Sequence, residues 1–92
     1  MTSTKNQFGV PQYPENDARR LFVLLAAINL LERPTVSAIA DLTSLPREAI
    51  EIGIRVLQQQ YGIQLIRMGE VYRVESWGDV LNKDGVMRHL RD

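Results

Sequence analysis

Apolar positions recur along this chain with two different periods, and the point where one gives way to the other divides it. Leu21, Leu24, Leu25, Ile28 and Leu31 fall at the spacing of a buried helix face. The helix so predicted begins near Glu15 or Asn16, capped by Asn16 or Asp17. It stops before Pro34, because proline drives the preceding residue out of helical backbone. Phe22, Val23, Ala26 and Leu30 add a second apolar stripe, and a helix apolar nearly all round must be covered on both sides. A second helix is predicted from Val36 to Leu42, with Thr35 as its cap and Val36, Ile39 and Ala40 inward. After Thr43, Ser44 and Leu45, Pro46 opens a third helix over Arg47 to Gln60. Ala49, Ile50, Gly53, Ile54 and Leu57 share one arc of it, Gly53 implies a close helix approach, and Gly62 ends it where a left-handed residue is wanted.

The period then shortens. "IQLIR" and "EVYRVE" are rich in branched and aromatic residues and are separated by Met68 and Gly69, which predicts a hairpin over Gln64 to Val74. Trp77, Val80, Leu81, Val86, Met87 and Leu90 return at roughly helical intervals, broken by Gly78 and "NKDG", so a short turn and a C-terminal helix are expected. Residues Met1 to Pro14 show no period and hold two prolines and a glycine, which reads as a flexible tail that Phe8, Val10 and Tyr13 could tie down.

Three helices followed by a two-stranded hairpin define a mainly α fold with a small β-hairpin. The stretch from Thr35 to Ile63 resembles bacterial winged helix-turn-helix transcription regulators: a capped short helix, Ile39 and Ala40 packing inside, a tight turn with Leu45, then Ile50, Ile54 and Leu57, and finally "YGI". The resemblance implies a three-helix core, a two-stranded wing and a C-terminal helix, with a tail over 1–14, the winged domain over 15–75 and a helical segment over 76–92. It also implies duplex DNA as partner, read by the third helix in the major groove. Two features depart from the pattern. Ser44 stands where such turns often carry glycine, and the wing tip is short, with Arg67 beside Glu70.

The residues expected toward DNA are Arg47, Glu48, Glu51, Ile52 and Arg55 on the third helix, and Arg67 and Arg73 on the wing. Arginine suits guanine, glutamate can accept from cytosine, and an apolar side chain suits a thymine methyl. Charge works against strong binding. The chain has 11 basic and 11 acidic residues, so no overall field draws it to phosphate. From Thr35 to Val74, Arg47, Arg55, Arg67 and Arg73 meet Asp41, Glu48, Glu51 and Glu70. Glu51 and Arg55 could equally form an i,i+4 pair that merely supports the helix, by a few tenths of a kcal/mol. A protein partner in place of DNA is the alternative, since the same fold serves both purposes.

Other classes find little footing. At 92 residues there is room for one domain, which buries roughly 60 to 65% of its unfolded surface. With no cysteine and one histidine, His89, neither a disulfide framework nor ligand spacing for a metal can be assembled. No phosphate loop, nucleophile elbow or carboxylate pair stands out, so neither an enzyme nor a cofactor is expected. "RRLFVLLAAINLL" followed by "AIA" imitates a signal peptide, but it reads as a core helix too short for a bilayer, which needs about 20 residues. The expected place is the cytoplasm. The second stripe of the first helix suggests a homodimer, with Phe22, Val23, Ala26 and Leu30 meeting Trp77, Leu81, Met87 and Leu90 at its interface; cover by the C-terminal segment of the same chain is the competing account.

Overall fold

A computed structural model describes residues 4–90. In chain order its elements are β1 (Thr4–Lys5), β2 (Pro11–Gln12), α1 (Arg19–Leu30), α2 (Val36–Thr43), α3 (Arg47–Gln60), β3 (Gln64–Met68), β4 (Val71–Ser76) and α4 (Lys83–Met87), followed by a 3₁₀ turn over Arg88–Leu90. The described residues form a small α/β domain of four α-helices and two antiparallel two-stranded sheets, β1–β2 and β3–β4.

The core sits where the three long helices meet. Leu24, Leu25 and Ile28 of α1, Ile39 of α2, and Ile50, Ile54 and Leu57 of α3 are buried together, joined by Ile63, Leu65 and Val86. Each such side chain stabilises the fold by about 1.5 to 3 kcal/mol. Both α2 and α3 begin as their caps dictate. Thr35 Oγ1 accepts from the Ala38 N–H at 3.1 Å, and Pro46 precedes α3 with extended backbone. Between them Ser44 adopts φ +64° and donates its N–H to Ala40 O, so this serine takes the left-handed role that glycine usually fills. On the inward arc of α3, a Cβ on Gly53 would lie 2.6 Å from Leu24 Cδ2 and 3.3 Å from Leu21 Cδ2. Helices α1 and α3 therefore approach at this glycine, as its place on the arc implied.

In the second hairpin the turn falls one residue later than expected. Met68 pairs with Val71, so Gly69 and Glu70 form the two-residue loop. Gly69, at φ +66°, supplies the positive φ that primed hairpin turns need at their first central position. The Tyr72 N–H donates to Pro34 O at 2.9 Å, fastening β4 to the loop between α1 and α2.

Three expectations are corrected. Helix α1 starts at Arg19, not near Glu15, although Asp17 still serves its first turn: Asp17 Oδ1 accepts the Arg19 N–H at 2.9 Å. The segment expected as a tail without regular structure forms the β1–β2 hairpin over Thr4–Gln12, because Val10 and Pro11 are buried and the Asn6 side chain organises the turn. Positions 1–3 of that tail, and 91–92 of the C-terminal segment, lie outside the described residues. Third, the second stripe of α1 is covered within its own chain. Val23 and Ala26 are buried, and Phe22, Trp77, Leu81, Met87 and Leu90 are half-buried against the same core. Of the residues expected between two copies, only Leu30 is exposed, at 59%.

Around Phe22 the C-terminal turn is held by aromatic contacts. Tyr61 meets Phe22 edge-on at 6.0 Å between ring centroids, and His89 lies 5.4 Å from Phe22 and 6.4 Å from Tyr13. His89 is half-buried for this reason. No helix of the described residues is long and apolar enough to cross a membrane.

Candidate nucleic-acid interface

Burial of Ile50, Gly53, Ile54 and Leu57 fixes the rotation of α3 and turns Arg47, Glu48, Glu51, Arg55, Gln58 and Gln59 outward, all of them exposed. At the start of the helix, Arg47 donates to Ser37 Oγ at 2.7 Å, linking the first turns of α2 and α3. Glu51, Arg55 and Gln58 follow at spacings of four and three and form one stripe.

The β3–β4 hairpin meets that stripe mainly with one side. Residues paired across antiparallel strands share a face; Leu65 pairs with Val74, Ile66 with Arg73, and Arg67 with Tyr72. Leu65, Val74, Arg67 and Tyr72 therefore lie on one face and Ile66 and Arg73 on the other. Leu65 is buried, and its carbonyl accepts from Gln58 Nε2 at 3.2 Å, which seats the first face against α3. Arg67 donates through Nε to Gly69 O at 2.8 Å, and its guanidinium carbon lies 5.7 Å from the Tyr72 ring centre.

Between α3 and the β3–β4 hairpin runs an open cleft of about 390 Å³ lined by Glu51, Ile54, Arg55, Gln58, Leu65, Ile66, Arg67 and Tyr72. Two guanidinium groups face one carboxylate there, so the cleft is locally cationic although the whole chain is neutral. Among the described residues the sole ion pair within 4.0 Å is Asp17 with Arg19. Glu51 and Arg55 consequently do not close on each other, and both stay available at the surface.

The expected site residues thus separate. Glu51, Arg55 and Arg67 come together in the cleft, with Arg47 and Glu48 exposed at the start of the same helix. Arg73 projects from the far face of the β3–β4 hairpin. Ile52, 47% exposed, lies about 100° around the helix from Glu51 and lines a different concavity of about 430 Å³ between α1 and α3. That groove has an apolar floor of Leu21, Leu24, Leu45, Ala49 and Val56, with Glu15, Asp17 and Arg20 among its charged lining residues. Gln58 and Tyr72 are cleft residues that the sequence reading passed over. The four-and-three spacing from Glu51 marks the first, and alternation along β4 marks the second.

The ion pair at the head of α1 has its own electrostatics. Hydrogen bonds from the Arg19 side chain, and then from its backbone N–H, hold the Asp17 carboxyl at about 2, below its ordinary 3.8. The same contact raises the Arg19 guanidinium. The Arg19 guanidinium carbon also sits 4.3 Å from the Tyr13 ring centre, so the pair joins the chain after β2 to α1. No group of three or more histidines, aspartates or glutamates able to hold a metal stands together among the described residues. Comparison with known protein families, curated proteins and solved structures yields no match to this chain.

Proposed function

We propose that this chain is a winged helix-turn-helix protein that binds duplex DNA and acts as a cytoplasmic homodimer in transcription regulation. One observation carries the reading: the exposed stripe of α3 and the inner face of the β3–β4 wing line a single cleft in which Arg55 and Arg67 outnumber Glu51. A helix beside a hairpin suits a duplex, because the major groove admits the helix and the wing reaches the adjoining backbone. The tie from Tyr72 to Pro34 supports the same reading, since it holds the wing at a fixed angle to the helices. In this assignment Arg55 and Glu51 read base edges, Arg47 and Arg67 meet phosphate, and Arg73 plays at most an outlying part.

Local charge is modest, so binding is expected to be weak and moderately salt-dependent. About two to four phosphate contacts per subunit imply a slope of log affinity against log salt of about −2 to −4. Fluorescence anisotropy of a selected duplex and a scrambled one across a salt series measures this. If Glu51 reads a base, Glu51→Gln relaxes preference at one position by about 1 to 3 kcal/mol. If Glu51 only repels phosphate, the change tightens binding to every duplex alike.

A second reading, a module that binds a protein instead of DNA, is favoured by exposed Ile52 over the apolar groove between α1 and α3. Absence of binding to any duplex at low salt decides for it. As for the homodimer, Leu30 remains the exposed apolar residue at the end of α1, and a monomeric mass by light scattering at micromolar concentration removes that part of the proposal.

A further inference from the structure

We infer that the β1–β2 hairpin sets the angle between α2 and α3, with Asn6 as its positioning residue. The functional half of this inference rests on the DNA-binding reading, whereas its structural half does not. The need for such a device arises at Ser44, whose left-handed backbone is unfavourable for any residue bearing a Cβ. The last carbonyls of α2 also have no partner within the helix.

The hairpin answers both needs. Asn6 Nδ2 donates to Leu42 O at 2.8 Å and to Ser44 Oγ at 3.0 Å, and Gln12 Nε2 donates to Thr43 O at 3.0 Å. The orientation of the Asn6 amide is unambiguous, because its Oδ1 accepts the N–H groups of Phe8 and Val10, each at 3.0 Å. One side chain therefore shapes the hairpin turn and grips the turn between the helices. Burial of Val10 and Pro11 holds it there. Since α3 begins three residues after Ser44, a change in this turn re-aims the helix that carries Arg47, Glu51 and Arg55.

The test uses the full chain. Asn6→Ala removes the grip without changing charge, and Asn6→Ala with Ser44→Gly supplies a residue that takes positive φ without help. Hydrogen exchange at the Ser44 and Leu45 amides reports the turn, and anisotropy on a selected duplex reports the function. The single variant is expected to speed exchange there about tenfold, as the loss of one or two hydrogen bonds implies, and to weaken duplex binding by a similar factor. The double variant is expected to restore both to within about twofold of wild type. Unchanged exchange in Asn6→Ala overturns the inference. So does lost affinity that Ser44→Gly fails to restore, which would mean that the hairpin touches DNA itself. If wild type binds no duplex, the DNA-binding reading fails, and the exchange rates alone judge the grip: faster in the single variant and restored in the double supports it, anything else overturns it. Should Asn6→Ala lose its fold by circular dichroism, Gln12→Ala takes its place with the same readouts and outcomes.

Discussion

The described residues form two hairpins built on opposite plans. The β3–β4 hairpin is written in its own residues: branched and aromatic side chains alternate across it, Gly69 supplies its turn, and Leu65 is buried in the core with Val74 and Tyr72 half-buried beside it. The N-terminal hairpin, β1–β2, has strands of only two residues each and no alternating pattern. Its stability comes from what it touches, through Val10 and Pro11 in the core and the Asn6 and Gln12 amides on the turn after α2. An isolated two-stranded hairpin is marginal in water, so each needs a support. The β3–β4 hairpin leans on apolar contact that its own alternation announces, whereas the N-terminal hairpin adds to Val10 and Pro11 hydrogen bonds to a helix end. A local pattern announces the first kind of support and is silent about the second.

The strongest way to break this contrast lies at the base of the β3–β4 hairpin. Gly78 adopts φ +67°, and a Cβ there would lie 2.6 Å from the carbonyl oxygen of Gly62, where the chain enters and leaves this hairpin. Backbone cannot swing aside as a side chain can. Gly78→Ala is therefore expected to cost about 2 to 4 kcal/mol, read as a lower urea midpoint with the slope unchanged. A loss below about 1 kcal/mol would mean that the base of this hairpin is loose. Val10→Ala comes next and probes the other hairpin. Val10 is 2% exposed, and losing its two methyl groups is expected to cost about 2 kcal/mol. An unchanged midpoint would show that the N-terminal hairpin does not dock in solution.

Gly69→Ala should cost less, about 1 kcal/mol, since its φ of +66° is strained for alanine but nothing lies within 4 Å of the added Cβ. A cost equal to that of Gly78→Ala would mean that strain alone, and not the close approach, governs both. The smallest effect belongs to Asp17, between the N-terminal hairpin and α1. Its carboxyl is held at about 2 against an ordinary 3.8. Its contribution is therefore present above about pH 4 and lost as pH falls toward 2. Wild type should melt slightly above Asp17→Asn near neutral pH, and the two melting temperatures should converge between pH 4 and 2. A constant gap across that window would assign the effect to packing.

How far the chain could be read beforehand follows the same division. The third helix spans Arg47 to Gln60 as its spacing implied, because Ile50, Ile54 and Leu57 leave no other face to bury and Pro46 fixes where it opens. The Thr35 cap and the glycine contact at Gly53 were legible for similar reasons of local chemistry. Ile52 is exposed but lies over the groove between α1 and α3, a placement not legible beforehand because a wheel gives angles from the axis but not which neighbour, hairpin or α1, fills each sector. Val23 and Ala26 pointed to a second subunit only while the course of the C-terminal segment was unknown. Asn6 and Gln12 left no trace at all, since a polar residue in a proline-containing segment looks the same whether it grips a turn or faces water.

The tie between Asn6 and Ser44 has a kinetic consequence. It joins residues 38 positions apart, so it must close a long loop before returning any enthalpy, whereas the contacts between α2 and α3 close short ones. It is therefore expected to form after the barrier to folding has been crossed. Loosening it should then leave the refolding limb of a chevron nearly unmoved and raise the unfolding limb by almost the whole loss in stability. In that order of events the three helices assemble first and the N-terminus arrives last, as a bolt that governs how long the folded state survives.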